Sequence, residues 1–131
     1  MRPATVALFL MTAITLGAFG QISLKYGMRQ YGDLGAPGLG LVSGVVRAIF
    51  TPYVLLGLAC YAVSSGFWLV VISPGGWALS YAYPMIAISY VGVVLLSRLL
   101  LGEAVQPLQW VGILLMCAGL VLVARFGAAT G

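Results

Sequence analysis

Apolar residues run almost unbroken through four stretches of the chain, roughly 4–26, 52–73, 77–101 and 107–123. Glycine, proline and charge collect in the short segments between them. At about 1.5 Å per helical residue, each stretch comes close to or exceeds the roughly 30 Å hydrocarbon core of a bilayer. In lipid only helices and closed barrels satisfy every backbone N–H and C=O, and runs this continuous lack the alternation of barrel strands. The pattern predicts an all-α integral membrane protein, with residues 1–131 forming a single four-helix transmembrane domain.

A weaker pattern lies between residues 39 and 50. Leu39, Val42, Val46 and Ile49 recur at helical spacing with Arg47 as the one charge, which predicts a short helix lying in the membrane interface. An ordered loop is the alternative, because Gly38, Gly40 and Gly44 lower helix propensity. The first helix is expected to end between Tyr26 and Gly32, where Gly27, Gly32, Gly35, Pro37, Gly38 and Gly40 interrupt the pattern. Thr51-Pro52 opens the second span, with proline suited to a first helical turn. Ser73-Pro-Gly-Gly76 is an uncharged tight turn that predicts an antiparallel hairpin of the second and third spans, and Gly102 to Pro107 forms the last turn. Trp68, Trp77 and Trp110 fall near span ends, as in an aromatic belt.

Composition narrows the chemistry. Hydrophobic residues make up 63% of the chain and charged ones 6%, against about a quarter charged in a soluble domain. With no histidine and two acids, metal binding and acid–base catalysis lack ligands and proton carriers, so no enzyme, metal or cofactor is expected. Cys60 and Cys117 lie inside predicted spans and read as small packing residues. The net charge of +4 is too scattered for a nucleic-acid patch and suits anionic lipid headgroups.

The N-terminus also fits a signal peptide, with Arg2, an apolar run from Val6 to Leu16 and then Gly17, Ala18 and Gly20. The stretch continues to Tyr26 and three more spans follow, which favours a retained helix. Lys25, Arg29, Arg47 and Arg98 fall on one side of the predicted membrane, Arg2 and Arg125 on the other. This predicts cytoplasmic first and third connections and outside termini. So small a bias also fits a protein that inserts both ways round.

Polar groups within the spans are the candidates for function, because burying them is costly. Gln21, Lys25 and Arg29 follow one another at four-residue spacing on one face of the first helix. In Ser80-Tyr-Ala-Tyr-Pro84, Pro84 is expected to kink the helix by disturbing the preceding turn, and Tyr81 and Tyr83 point different ways, so that at most one of them lines a cavity. Arg98 is placed to pair with Glu103 as an ion pair or gate. Alternatively, Arg98 joins Lys25, Arg29 and Arg47 in a cationic cluster suited to phosphate. Snorkelling and ordinary positive-inside charge are the plain explanations of the same residues. Gly112 and Gly119, seven residues apart, suit a close-packed helix seam, within one subunit or between two.

Four stretches together resemble the drug/metabolite transporter superfamily: Thr51-Pro-Tyr-Val-Leu-Leu-Gly-Leu-Ala59, Ala82-Tyr-Pro-Met85, Leu101-Gly-Glu103 and Gln109-Trp-Val-Gly112. Length and four spans resemble its small multidrug resistance branch. Gly20-Gln21 followed by Lys25, the Ala82-Tyr-Pro84 turn and Glu103 are most similar to the short subunits of the aminoarabinose-phosphoundecaprenol flippase and related EamA-like proteins. The resemblance covers nearly all of the chain outside Arg29 to Phe50. It implies a multi-pass protein of the bacterial inner membrane that moves a polyprenyl-phosphate-linked sugar or similar anionic lipid, as a homodimer or with a similar small protein. Lys25, Arg29, Arg47 and Arg98 would then attract the phosphate, and Gln21, Tyr81 and Tyr83 would contact the head group. One departure matters: the drug exporters of the small multidrug resistance branch carry a glutamate eight residues before the matching lysine, where this chain has Gly17. Small-molecule export by another coupling mechanism, and a non-transporting membrane partner, are the competing readings.

Overall fold

A computed structural model describes residues 1–34 and 37–129. Its described residues form α1 (Pro3–Tyr31), α2 (Leu39–Ile49), α3 (Pro52–Val71), α4 (Leu79–Met85), α5 (Ala87–Leu101) and α6 (Pro107–Phe126). Four units are long and apolar enough to cross a membrane: α1, α3, α4 with α5, and α6. α2 takes up the segment left open between helix and loop. Gly44 lets it sit close, since a Cβ there would overlap the Leu34 carbonyl.

α1 runs longer than its composition suggests. Gly27 does not end it but packs, because a Cβ there would lie 2.8 Å from Val54 Cγ2 and 2.9 Å from the Val54 nitrogen. The helix stops at Gly32, whose φ of 88° ends the helical path while its N–H still bonds to Met28 O. The predicted breaker Gly35 lies outside the described residues.

Small residues set the arrangement. α1 packs along α3, where Gly20 and Gly57 face each other, and Ser64 Oγ donates to Ala13 O at 2.7 Å. In lipid, helices gain little from burying apolar area against each other, so close approach and interhelical hydrogen bonds carry more of the association. α1 also packs on α5, and α6 meets both α4 and α5.

The Ser73–Gly76 turn is tight, with Gly75 at φ 88° and Trp77 N–H bonding to Val71 O at 2.8 Å. The spans it joins do not pair as an extended hairpin, however. Among the described residues α3 makes no extended contact with α4 or α5, because α1 is the partner of both α3 and α5. The third span is interrupted at Ile86, two residues after Pro84 rather than in the turn before it. There Ile86 N–H reaches Tyr83 O at 3.1 Å, and Ser89 donates to Ile86 O through both its N–H and its hydroxyl.

The two ends of the bundle differ. At the Gly75 end, Val6, Leu10, Val71, Ala82 and Met85 form a buried cluster. Nearby, Ala78 N–H bonds to Ala129 O at 2.7 Å. The opposite end gathers the end of α1, the starts of α3 and α6, and the end of α5. Tyr26 meets Tyr53 edge-on there, with ring centres 4.8 Å apart.

Candidate functional site

Between α1, α3 and the α4–α5 span lies a cleft of about 570 Å³. Each wall is one helical stripe. α1 supplies Ala13, Gly17 and Gln21, spaced four residues apart; α3 supplies Tyr61, Ser64, Ser65 and Trp68; the third wall carries Tyr83, Ser89 and Tyr90. No carboxylate or ammonium lines it among the described residues. Ser64, Ser65 and Ser89 each donate to a backbone carbonyl, so their remaining oxygen lone pairs are free to accept from a ligand. Trp68 and Tyr83 meet edge-on across the cleft at 6.0 Å. The cleft combines aromatic faces with neutral hydrogen-bonding groups, which suits a polyhydroxylated head group.

Charge begins one turn beyond Gln21. Lys25 follows it by four residues, a rise of about 6 Å along α1. Its Nζ lies 3.6 Å from Glu103 Oε1, and Arg29 Nη2 approaches the same oxygen at 3.5 Å. Arg29 also donates through Nη1 to Leu101 O at 2.7 Å, at the negative end of the α5 dipole. Glu103 reaches this position because Gly102 adopts a left-handed conformation (φ 66°), which turns the chain as α5 ends. α6 then restarts with Gln106 N–H bonded to Gln109 Oε1 at 2.7 Å. A second hollow of about 430 Å³ beside Lys25 and Arg29 is lined also by Met28, Gly32, Asp33, Leu34 and Leu41.

The residues singled out in the sequence separate into groups. Gln21 and Tyr83 line the cleft. Tyr81 does not. It points to the other side of α4, where it meets Trp77 edge-on at 5.0 Å and lies against Gly127, because residues two apart on a helix face different ways. Lys25 and Arg29 meet at Glu103, so the expected pairing of Arg98 with Glu103 is not made. Instead the Arg98 guanidinium sits over the Trp110 ring, 5.8 Å from its centre. Arg47 lies exposed on the last turn of α2. These four cations share one end of the bundle, but two of them converge.

Gly112 and Gly119 have open space where a Cβ would stand, so they are not packing positions within one subunit. Composition alone passed over Tyr61, Ser64 and Ser65 and read Trp68 only as a span-end aromatic. Their spacing of three, four and seven residues within an apolar span is the signal that marks them as one face. Trp68, expected near a span end, also faces the cleft.

Sequence comparison adds three relatives. The chain is 31% identical over 126 residues to the probable 4-amino-4-deoxy-L-arabinose-phosphoundecaprenol flippase subunit ArnF of Shewanella sediminis (strain HAW-EB3), covering 88% of this chain and 85% of that one. It is 29% identical over 118 residues to the ArnE subunit of the same name in Pseudomonas savastanoi pv. phaseolicola (strain 1448A / Race 6), covering 90% and 96%. ArnE of Salmonella newport (strain SL254) is 26% identical over 117 residues, covering 89% and 95%. No family model matches the chain, and no solved structure does.

Proposed function

The chain belongs to the family of aminoarabinose-phosphoundecaprenol flippase subunits, and from that membership we propose that it helps carry a polyprenyl-phosphate-linked sugar across the bacterial inner membrane. The observation that carries the reading is the succession along one face of α1: a neutral, aromatic and hydroxyl-lined cleft ending at Gln21, then Lys25, then Arg29. A phosphate held by the two cations leaves its sugar within one helical turn of the cleft. The polyprenyl tail stays in lipid. Arg47 and Arg98 raise the positive potential at the same end, which attracts the anionic head group and suits the cytoplasmic face.

Tyr83 and Gln21 contact the sugar in this reading, while Tyr81 braces α4 beside α6. The chain acts as a dimer, with a second copy or with a similar small subunit. Two features support this: the open outer side of α6, where Gly112 and Gly119 permit close approach, and a cleft that one subunit leaves open between α3 and α5. Export of a small organic cation is the weaker reading, since no carboxylate lines the cleft among the described residues.

The test is transport. Vesicles holding the full chain, alone and with any co-purifying small subunit, are loaded with a fluorescent polyprenyl-phosphate sugar in one leaflet. Protein-dependent loss of leaflet asymmetry is the expected result. Asymmetry that decays no faster than in empty vesicles, in both preparations, rejects the reading.

A further inference from the structure

We propose that the Glu103 carboxylate occupies the phosphate seat at Lys25 and Arg29 between transport events, and that an arriving lipid phosphate displaces it and frees the Gly102–Gln106 turn. The proposal rests on the flippase reading above and concerns how that same site is kept ready. It starts from a conflict in electrostatics. Two cations at the edge of a hydrocarbon phase are costly to leave unpaired, yet a permanent ion pair would block the anion they serve.

The geometry resolves this conflict. One carboxylate oxygen serves both cations, at 3.6 and 3.5 Å, which is longer than the 2.7–2.9 Å of a tight charge-assisted hydrogen bond. Lys25 and Arg29 remain about half exposed, so the pair is reachable and loosely held. A phosphate offers several oxygens where Glu103 presents one to both cations, and it can bridge the ammonium and the guanidinium at shorter range. The exchange keeps the cations compensated throughout, because one anion leaves as another arrives. The hollow beside Lys25 and Arg29 gives the incoming group room.

Arg29 does not drift when Glu103 leaves. Its Nη1 stays on Leu101 O at 2.7 Å, which aims the other arm of the guanidinium at the seat. What moves is the segment after Gly102. That residue already holds a left-handed conformation, and the Glu103 N–H bond to Ser97 O is long at 3.3 Å. The turn is fixed again at Gln106, whose N–H bonds to Gln109 Oε1 at 2.7 Å, so the stretch between these two anchors is the part that gives way. Glu103 is thus a positioning residue that couples occupancy of the phosphate seat to the turn leading into α6.

The experiment uses the full chain in nanodiscs of zwitterionic lipid, with Cys60 and Cys117 replaced by Ala. Spin labels at Gln30→Cys and Ala104→Cys report the distance between the end of α1 and the turn. Probes are undecaprenyl phosphate, phosphatidylglycerol and inorganic phosphate. Undecaprenyl phosphate is expected to lengthen or broaden the distance distribution. Glu103→Gln is expected to show that distribution without ligand and to bind undecaprenyl phosphate at least threefold more tightly, whereas Arg29→Ala binds it more weakly. An equal response to inorganic phosphate assigns the seat to phosphate of any source; a response confined to the lipids assigns it to the headgroup in the membrane. Both keep the exchange. If Glu103→Gln binds no tighter, or the distance stays fixed while the wild-type protein binds and moves lipid, the exchange is wrong and the flippase reading stands. If the wild-type protein neither binds nor moves the lipid, both fall.

Discussion

Gly57 lies so close to Gly20 that a methyl group on it would stand 2.7 Å from the Gly20 carbonyl oxygen. The same methyl would meet Leu24 Cγ at 2.7 Å and the Leu24 backbone nitrogen at 2.9 Å. Two of these three neighbours are backbone atoms of α1, which have nowhere to turn. Gly57→Ala is therefore expected to destabilise the protein by about 1–3 kcal/mol, the usual cost of overpacking a tight contact. Gly112→Ala and Gly119→Ala meet open space and are expected to leave the monomer as stable or slightly more stable, through helix propensity of up to about 1 kcal/mol. Thermal unfolding in one detergent separates the two cases. Crosslinking in native membranes then asks whether the α6 variants change association.

Ser64 bridges α3 to α1 through its 2.7 Å hydrogen bond to the Ala13 carbonyl. Ser64→Ala removes the bond and its stabilisation, expected at about 0.6 kcal/mol and no more than about 1.7. A larger loss in a reversible unfolding assay would mean that the serine holds more of the fold than this one contact.

Tyr83 and Tyr81 are predicted to part company in transport. Tyr83 faces the cleft and Trp68, and Tyr83→Ala is expected to slow lipid movement roughly tenfold, as for loss of about 1.4 kcal/mol of aromatic contact. Tyr81→Phe keeps the ring against Trp77 and gives up a long 3.5 Å hydrogen bond to Ala124 O, so its rate is expected to stay within twofold of wild type. Equal rates for the two variants would remove Tyr83 from the path.

Lys25 and Arg98 offer a similar contrast. Lys25 lies one turn from Gln21 at the mouth of the cleft, while Arg98 rests over Trp110. Lys25→Ala is expected to weaken polyprenyl-phosphate binding about tenfold, the scale of one charge-assisted contact. Arg98→Ala is expected to cost less than threefold, and that loss should shrink as salt screens its long-range attraction. Titrations of both variants at low and high ionic strength check the difference.

The four spans, the short helix near residues 39–50 and the gathering of Lys25, Arg29, Arg47 and Arg98 at one end were legible in the chain itself. In lipid each helix must satisfy its own backbone, so its existence depends on local apolar length and its ends on local charge and proline. The contacts between helices were not legible in the same way. Gly27 reads as a breaker in isolation, yet it continues α1 because Tyr53 and Val54 fill the space beside it. Glu103 follows Arg98 closely in sequence, yet Gly102 turns it toward Lys25 and Arg29. Trp68 has the composition of a membrane-surface anchor but looks inward because Ser64, on the same stripe, is tied to Ala13. Sequence decides what each helix is, because hydrogen bonding and hydrophobicity act within it. Tertiary structure alone decides which faces meet, because that depends on the fit of small residues and single polar bonds across helices far apart in the chain.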